Sequence, residues 1–119
     1  MKRLVSLMIV VSLFLAACGG GSFDVSVEEP PVYEDGVEYP FVISVTDGGE
    51  GIEGLDIVAT LEMARMDHGI IEVHFTDAGG GIYEGEVALP MGGEWIANLE
   101  IDEDGKVSEE TVVFDVAER

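Results

Sequence analysis

Two thioethers and an imidazole fall within six residues of one another in the stretch Leu61-Glu62-Met63-Ala64-Arg65-Met66-Asp67-His68-Gly69. After the first seventeen residues no other cluster of soft donors is as dense, and Met91, just before Gly92-Gly93-Glu94-Trp95, is the only later methionine. Thioether sulfur and neutral imidazole together form a donor set that prefers Cu(I) to the hard cations magnesium and calcium. Methionine is equally a filler of irregular gaps in a hydrophobic core. Spacing alone leaves both readings open for Met63, Met66, His68 and Met91.

The chain must place these donors with few resources. Its 119 residues suffice for one domain with a single core. There are 25 acidic residues, and the only basic ones are Lys2, Arg3, Arg65, Lys106 and Arg119, for a formal charge of −20. A surface this acidic repels nucleic acid and anionic lipid head groups and attracts cations. Nucleic acid is excluded as a partner on that ground. Enzyme signatures are also missing: there is no Gly-x-Ser-x-Gly elbow and no His-Glu-x-x-His helix, and the chain has only two histidines. Abundant carboxylates on an acidic surface do not by themselves make a tuned catalytic pair.

The N-terminus reads as an address. Met1-Lys2-Arg3 is a short positive region, and Leu4 to Leu15 is an almost wholly apolar run of twelve residues. That run is too short to span a bilayer, which takes about twenty residues, and it has the shape of a secretory signal peptide. It closes on Leu15-Ala16-Ala17-Cys18, followed by Gly19-Gly20-Gly21-Ser22. These residues resemble the lipobox of bacterial lipoproteins, which implies cleavage before Cys18 and a diacylglyceryl group on its sulfur. Cys18 is the only cysteine, so once lipidated it leaves no thiol for a disulfide, a zinc-thiolate site or a nucleophile. The expected organisation is a signal peptide at 1–17, a lipidated cysteine and flexible or extended linker at 18–36, and a folded domain at 37–119 whose first strand could begin near residue 23. The expected location is the cell envelope, on the extracytoplasmic side, held to the membrane through the lipid on Cys18.

From Phe23 onward the hydrophobic period is two. Phe23, Val25 and Val27 alternate with polar residues, as do Phe41, Ile43 and Val45, and Leu55, Ile57, Ala59, Leu61 and Met63 form an inward row. Ile71, Val73 and Phe75 form another row with His74 on the solvated face. Tyr83, Val87, Leu89 and Met91 share one side of a strand, and Trp95, Ala97, Leu99 and Ile101 follow. Trp95, Tyr83, Leu89, Leu99 and Phe75 are expected in the core. Asp102-Glu103-Asp104-Gly105 is a hairpin turn by composition and lacks the further ligands of a calcium loop. Val112, Phe114 and Val116 then reverse the parity, which predicts a bulge or shift near Ser108. About seven strands with Gly- and Asp-rich turns between them predict an all-β fold, an immunoglobulin-like antiparallel β-sandwich, with a small barrel as the alternative.

Taken in order, Asp47-Gly48, Gly54-Leu55, Leu61-Glu62-Met63 with Met66-Asp67-His68-Gly69, Gly81-Ile82-Tyr83-Glu84-Gly85 and Leu89-Pro90-Met91-Gly92-Gly93-Glu94-Trp95 resemble the YtkA-like domain family, over roughly residues 37 to 103. They are also similar to FixH-like proteins of respiratory-oxidase assembly. The resemblance implies a small β-sandwich that is often an extracytoplasmic lipoprotein, with a role in copper handling or assembly. Met63, Met66, His68 and Met91 would then hold Cu(I), and a copper-handling or respiratory-complex protein would be the partner. The alternative is a structural module that contacts a membrane complex, such as an oxidase or efflux system, without metal. Where the family frequently has proline after the first methionine, this chain has Ala64-Arg65, which places a cation beside the proposed ligands.

Lipidation gives the first test. Cys18→Ser is expected to abolish acylation and to release the protein from the membrane fraction. An intact mass showing a free thiol on the mature wild-type chain would count against the anchor.

Overall fold

Alternating β-branched and aromatic residues can bury every second side chain on a pleated strand, and this chain uses that solution throughout. The computed structural model describes residues 23–64 and 69–119; the leader, Cys18, Met66 and His68 lie outside them. The strands are β1 (Asp24–Glu29), β2 (Tyr39–Asp47), β3 (Glu50–Gly51), β4 (Asp56–Met63), β5 (Ile71–His74), β6 (Thr76–Gly79), β7 (Ile82–Val87), β8 (Gly93–Glu103) and β9 (Lys106–Val116). Strand order is β1-β2-β7-β6 in one sheet, with β3 added beside β2, and β5-β4-β8-β9 in the other. Every pairing between these strands is antiparallel. With β3 set aside as the returning arm of the β2 hairpin, these two orders are the A-B-E-D and C′-C-F-G sheets of an immunoglobulin-like sandwich.

Nine strands stand among the described residues instead of about seven, and two local events account for the difference. Gly48 and Gly49, with φ of 63° and 88°, form a two-residue turn that folds Glu50 and Gly51 back onto β2 as β3. The row Ile71, Val73, Phe75 is not one strand. β5 pairs with β4 as far as Val58↔His74, whereas Thr76↔Glu84 already belongs to the opposite sheet. The Phe75 N–H still bonds to the Ile57 carbonyl at 3.0 Å, so the chain changes sheets at Phe75. Gly85 on β7 makes the passage possible, because a Cβ there would lie 2.6 Å from Val73 Cγ1 and 3.2 Å from the His74 carbonyl oxygen.

The expected bulge near Ser108 is absent. β8 and β9 pair without interruption from Gly93↔Val116 to Glu103↔Lys106. Asp104 and Gly105, with φ of 53° and 88°, occupy a two-residue turn of the kind that needs positive φ at both positions. A two-residue turn pairs odd residues with even ones, so Trp95 stands opposite Phe114 and Ala97 opposite Val112. The parity reversal comes from the turn. The strand read over Phe23, Val25 and Val27 is β1, which pairs with β2 from Asp24↔Thr46 onward, and Pro31 beyond it is fully buried.

Between the sheets lie Phe41, Ile43, Val45, Ile57, Leu61, Tyr83, Trp95, Leu99 and Ile101, all essentially inaccessible, with Phe75 and Leu89 also buried. Phe41 packs edge-on against Phe75 at 5.4 Å between centroids, and its ring meets Phe114 at 4.8 Å. The aromatic row therefore crosses the whole sandwich.

The pole carrying the β8–β9 turn is held by hydrogen bonds to loop backbone. The Tyr83 hydroxyl donates to the Ile52 carbonyl at 2.8 Å and accepts from the Leu55 N–H at 3.1 Å. Burial of that hydroxyl raises its pKa above the ordinary tyrosine value. Asp77 accepts from the Gly54 N–H at 2.7 Å and the Gly79 N–H at 2.8 Å, and Glu53 accepts from the Gly80 N–H at 2.6 Å. The bond from Gly54, then that from Gly79, lowers the pKa of Asp77 below its ordinary value. Because the folded state favours the carboxylate, this contribution is complete above the unfolded pKa, about 3.9. It disappears as pH falls through the lower folded value. In acid-unfolding curves, Asp77→Ala is expected to be less stable than wild type at neutral pH and to lose less stability on acidification; parallel curves would contradict the role given to Asp77.

Candidate functional site

Met63 closes β4 at the pole opposite the β8–β9 turn. In the ladder it stands directly across from Trp95, and residues so paired share a face with their Cβ atoms about 5 Å apart. Trp95 is fully buried, whereas Met63, at the strand end, is only half-buried against the core. One further rung follows, the Ala64 N–H to the Glu94 carbonyl at 3.1 Å. The Met63 methyl lies over Gly93, close enough that a Cβ on Gly93 would stand 3.3 Å from it. Gly93 has φ of +122°, a conformation that side-chain-bearing residues rarely adopt.

Met91 reaches the same pole from the other sheet. It does not end a strand as the alternation predicts: β7 stops at Val87, and Met91 sits in the connection that Pro90 keeps out of a ladder. The Trp95 indole N–H donates to the Met91 carbonyl at 3.2 Å. The Gly92 N–H donates to a Glu118 carboxylate oxygen at 3.2 Å. Met91, like Met63, is half-buried against the core. The pole is laced from the side by Tyr33, whose N–H bonds to the Ala117 carbonyl at 2.7 Å and whose carbonyl accepts from Arg119 at 2.9 Å. Beside it the Tyr39 hydroxyl donates to the Glu34 carboxylate, a bond that raises the tyrosine pKa, and the Arg119 guanidinium lies 5.8 Å from the Tyr39 ring centre.

Of the residues singled out for metal, the fold thus brings Met63 and Met91 to one end, Met63 paired with Trp95 in the ladder and the Met91 carbonyl bonded to the Trp95 indole N–H. Met66 and His68, like the lipidation candidate Cys18, lie outside the described residues. His74 is exposed and 2.9 Å from Glu72, in keeping with the solvated face assigned to it. An open acidic groove of about 590 Å³, with Glu72, His74, Glu84 and Glu86 on its walls, follows the sheet change at Phe75. Among the described residues no three His, Cys, Asp or Glu side chains converge to hold a metal ion. The donors at the Trp95 pole are thioethers on an apolar floor, which suits a soft ion and not a hard one. Two contributors to the pole were not anticipated, the Trp95 N–H and Glu118. The Met91-x-x-x-Trp95 spacing carried a signal for the first, since a buried indole needs an acceptor; nothing near Glu118 marked the second.

Gly93→Ala would place a methyl against the Met63 terminus in a strained backbone region. A loss of roughly 1–3 kcal/mol is expected in denaturant unfolding. An unchanged midpoint would show that the pole is looser than its contacts imply.

The search of curated proteins returned no match to this chain. The YtkA-like family pattern matches residues 19–100, a span that takes in β1 through most of β8, including Met63, Met91 and Trp95. With that match over more than half its length and the sandwich described above, the chain belongs to the YtkA-like family.

Proposed function

We propose that this protein is a membrane-anchored, extracytoplasmic binding module that takes Cu(I) at the Trp95 pole and holds it or hands it to a partner protein. The observation that carries the reading is the joint placement of Met63 and Met91 at one end, both half-buried against the core. Met66 and His68, a few residues beyond Met63 in the chain, would complete the donor set. Thioethers need no deprotonation, so three sulfurs and an imidazole can hold a monovalent soft ion without the thiolates that structural zinc demands. A bound ion would supply the cargo; the chain supplies orientation and an apolar surround.

The direction of β1 supports the arrangement on a membrane. Asp24 pairs with Thr46, at the pole of the β8–β9 turn, so β1 starts at the end away from the methionines. Five residues stand between Cys18 and Asp24, a reach of about 20 Å at full extension. An anchor on Cys18 would tether the turn pole, and the methionine pole would face the aqueous space where a partner can approach. Asp102, Glu103, Asp104, Glu50 and Glu53 crowd the tethered end and would keep it clear of anionic head groups.

The test is an anaerobic competition titration against a Cu(I) chelator, using the full chain in detergent. Wild type is expected to compete, with Zn(II) bound far more weakly. Met66→Leu, Met91→Leu and His68→Ala should each weaken Cu(I) binding with little loss of stability, Met→Leu being close to volume-conserving. Equal affinity in wild type and all three variants would remove the site and leave the metal-free assembly module as the better account.

A further inference from the structure

The two methionines that the fold brings together share one neighbour. Trp95 stands opposite Met63 in the β4–β8 ladder, and its indole N–H holds the Met91 carbonyl at 3.2 Å. The ring has no accessible surface, so the surrounding core packs it on all sides. Met91 has no ladder of its own: it lies between β7 and β8, outside both. The described hydrogen bonds that tie the Met91–Gly92 connection to the body run from the indole N–H to the Met91 carbonyl and from the Gly92 N–H to the Glu118 carboxylate.

We infer that Trp95 is the positioning residue of the methionine pole, its ring setting the face on which Met63 lies and its N–H fixing the backbone that carries Met91. The inference rests on the Cu(I) reading above and assigns a role within that site. A side chain with the same apolar ring area but no donor would leave the Met63 side in place. It would free the Met91 backbone, and the two sulfur carriers would no longer be held at a fixed separation before binding. Holding donors in place beforehand lowers the ordering cost of binding, and the lost bond bears on affinity even where the core survives.

Trp95 is the only tryptophan, so tryptophan emission reports on this pole alone. In the full chain in detergent, one equivalent of Cu(I) is expected to quench that emission, and Met91→Leu to reduce the quench. Trp95→Phe is expected to weaken Cu(I) binding about tenfold in the chelator competition, the scale of one lost hydrogen bond. Leu99→Ala, a core truncation on the same strand away from the pole, should lower stability yet leave affinity unchanged, which separates positioning from general weakening of the fold. Wild-type affinity in Trp95→Phe would overturn the inference, as would chelator-proven binding that leaves the emission untouched. If Trp95→Phe does not fold, the emission arm decides alone. Failure of wild type to compete for Cu(I) at all is a different result: it removes the copper reading itself, and this role with it.

Discussion

Everything in this sandwich depends on how the chain passes from one sheet to the other at Phe75. Up to His74 the backbone is bonded to β4, and from Thr76 it is bonded to β7. A single residue between them closes one side of the molecule. The passage requires β7 to yield space, and Gly85 does so under Val73 and His74. Phe75 then drops its ring into the core against Phe41, which meets Phe114 on the far side. Together with the β3–β4 and β7–β8 connections, which also pass between the sheets, this crossing and the row of rings hold the two sheets in alignment.

The poles use that geometry differently. At the turn end, carboxylates of Asp77 and Glu53 cap loop N–H groups, and the Tyr83 hydroxyl bridges two backbone groups of the loop between β3 and β4. Nearly every polar contact there goes to backbone, as expected for fixing loop shape. At the other end the half-buried Met63 and Met91 stand beside the buried Trp95, whose N–H bonds the Met91 carbonyl, with further hydrogen bonds through Tyr33 and Glu118. One end is tied by charge and backbone; the other is a soft, polarisable lid.

Much of this was legible in the residues. Period-two alternation identified the inward rows, and Trp95, Tyr83, Leu89, Leu99 and Phe75 are all buried as the rows required. The order of the Gly, Met and Trp motifs identified the family. What alternation could not show was which sheet a row belongs to, because a strand that changes sheets at Phe75 keeps the same inward parity on both sides of the change. It also misassigned the parity reversal in β9, where a two-residue turn does what a bulge would otherwise do. For the pole, the sequence placed Met63 and Met91 near strand ends, but the donor that holds Met91 depends on a tertiary hydrogen bond from a side chain already assigned to the core. Pattern reading treats a buried tryptophan as volume and overlooks its single N–H.

The reversed parity of β9 turns Ser108 and Glu110 toward the inner side of an edge strand, opposite Ile101 and Leu99. Ser108 Oγ and Glu110 Oε2 are both shielded and accept no hydrogen bond from the protein. Eleven residues of unpaired edge would otherwise offer a template for strand addition by another copy. A strand laid along β9 would close over the part of Ser108 and Glu110 that is still exposed, and a polar group left without a partner costs about 1–3 kcal/mol, more when charged. The opposite flank is already closed by the crossing chain. An inward-facing acid is one of the devices that disfavour edge-to-edge pairing, and β9 carries one in Glu110.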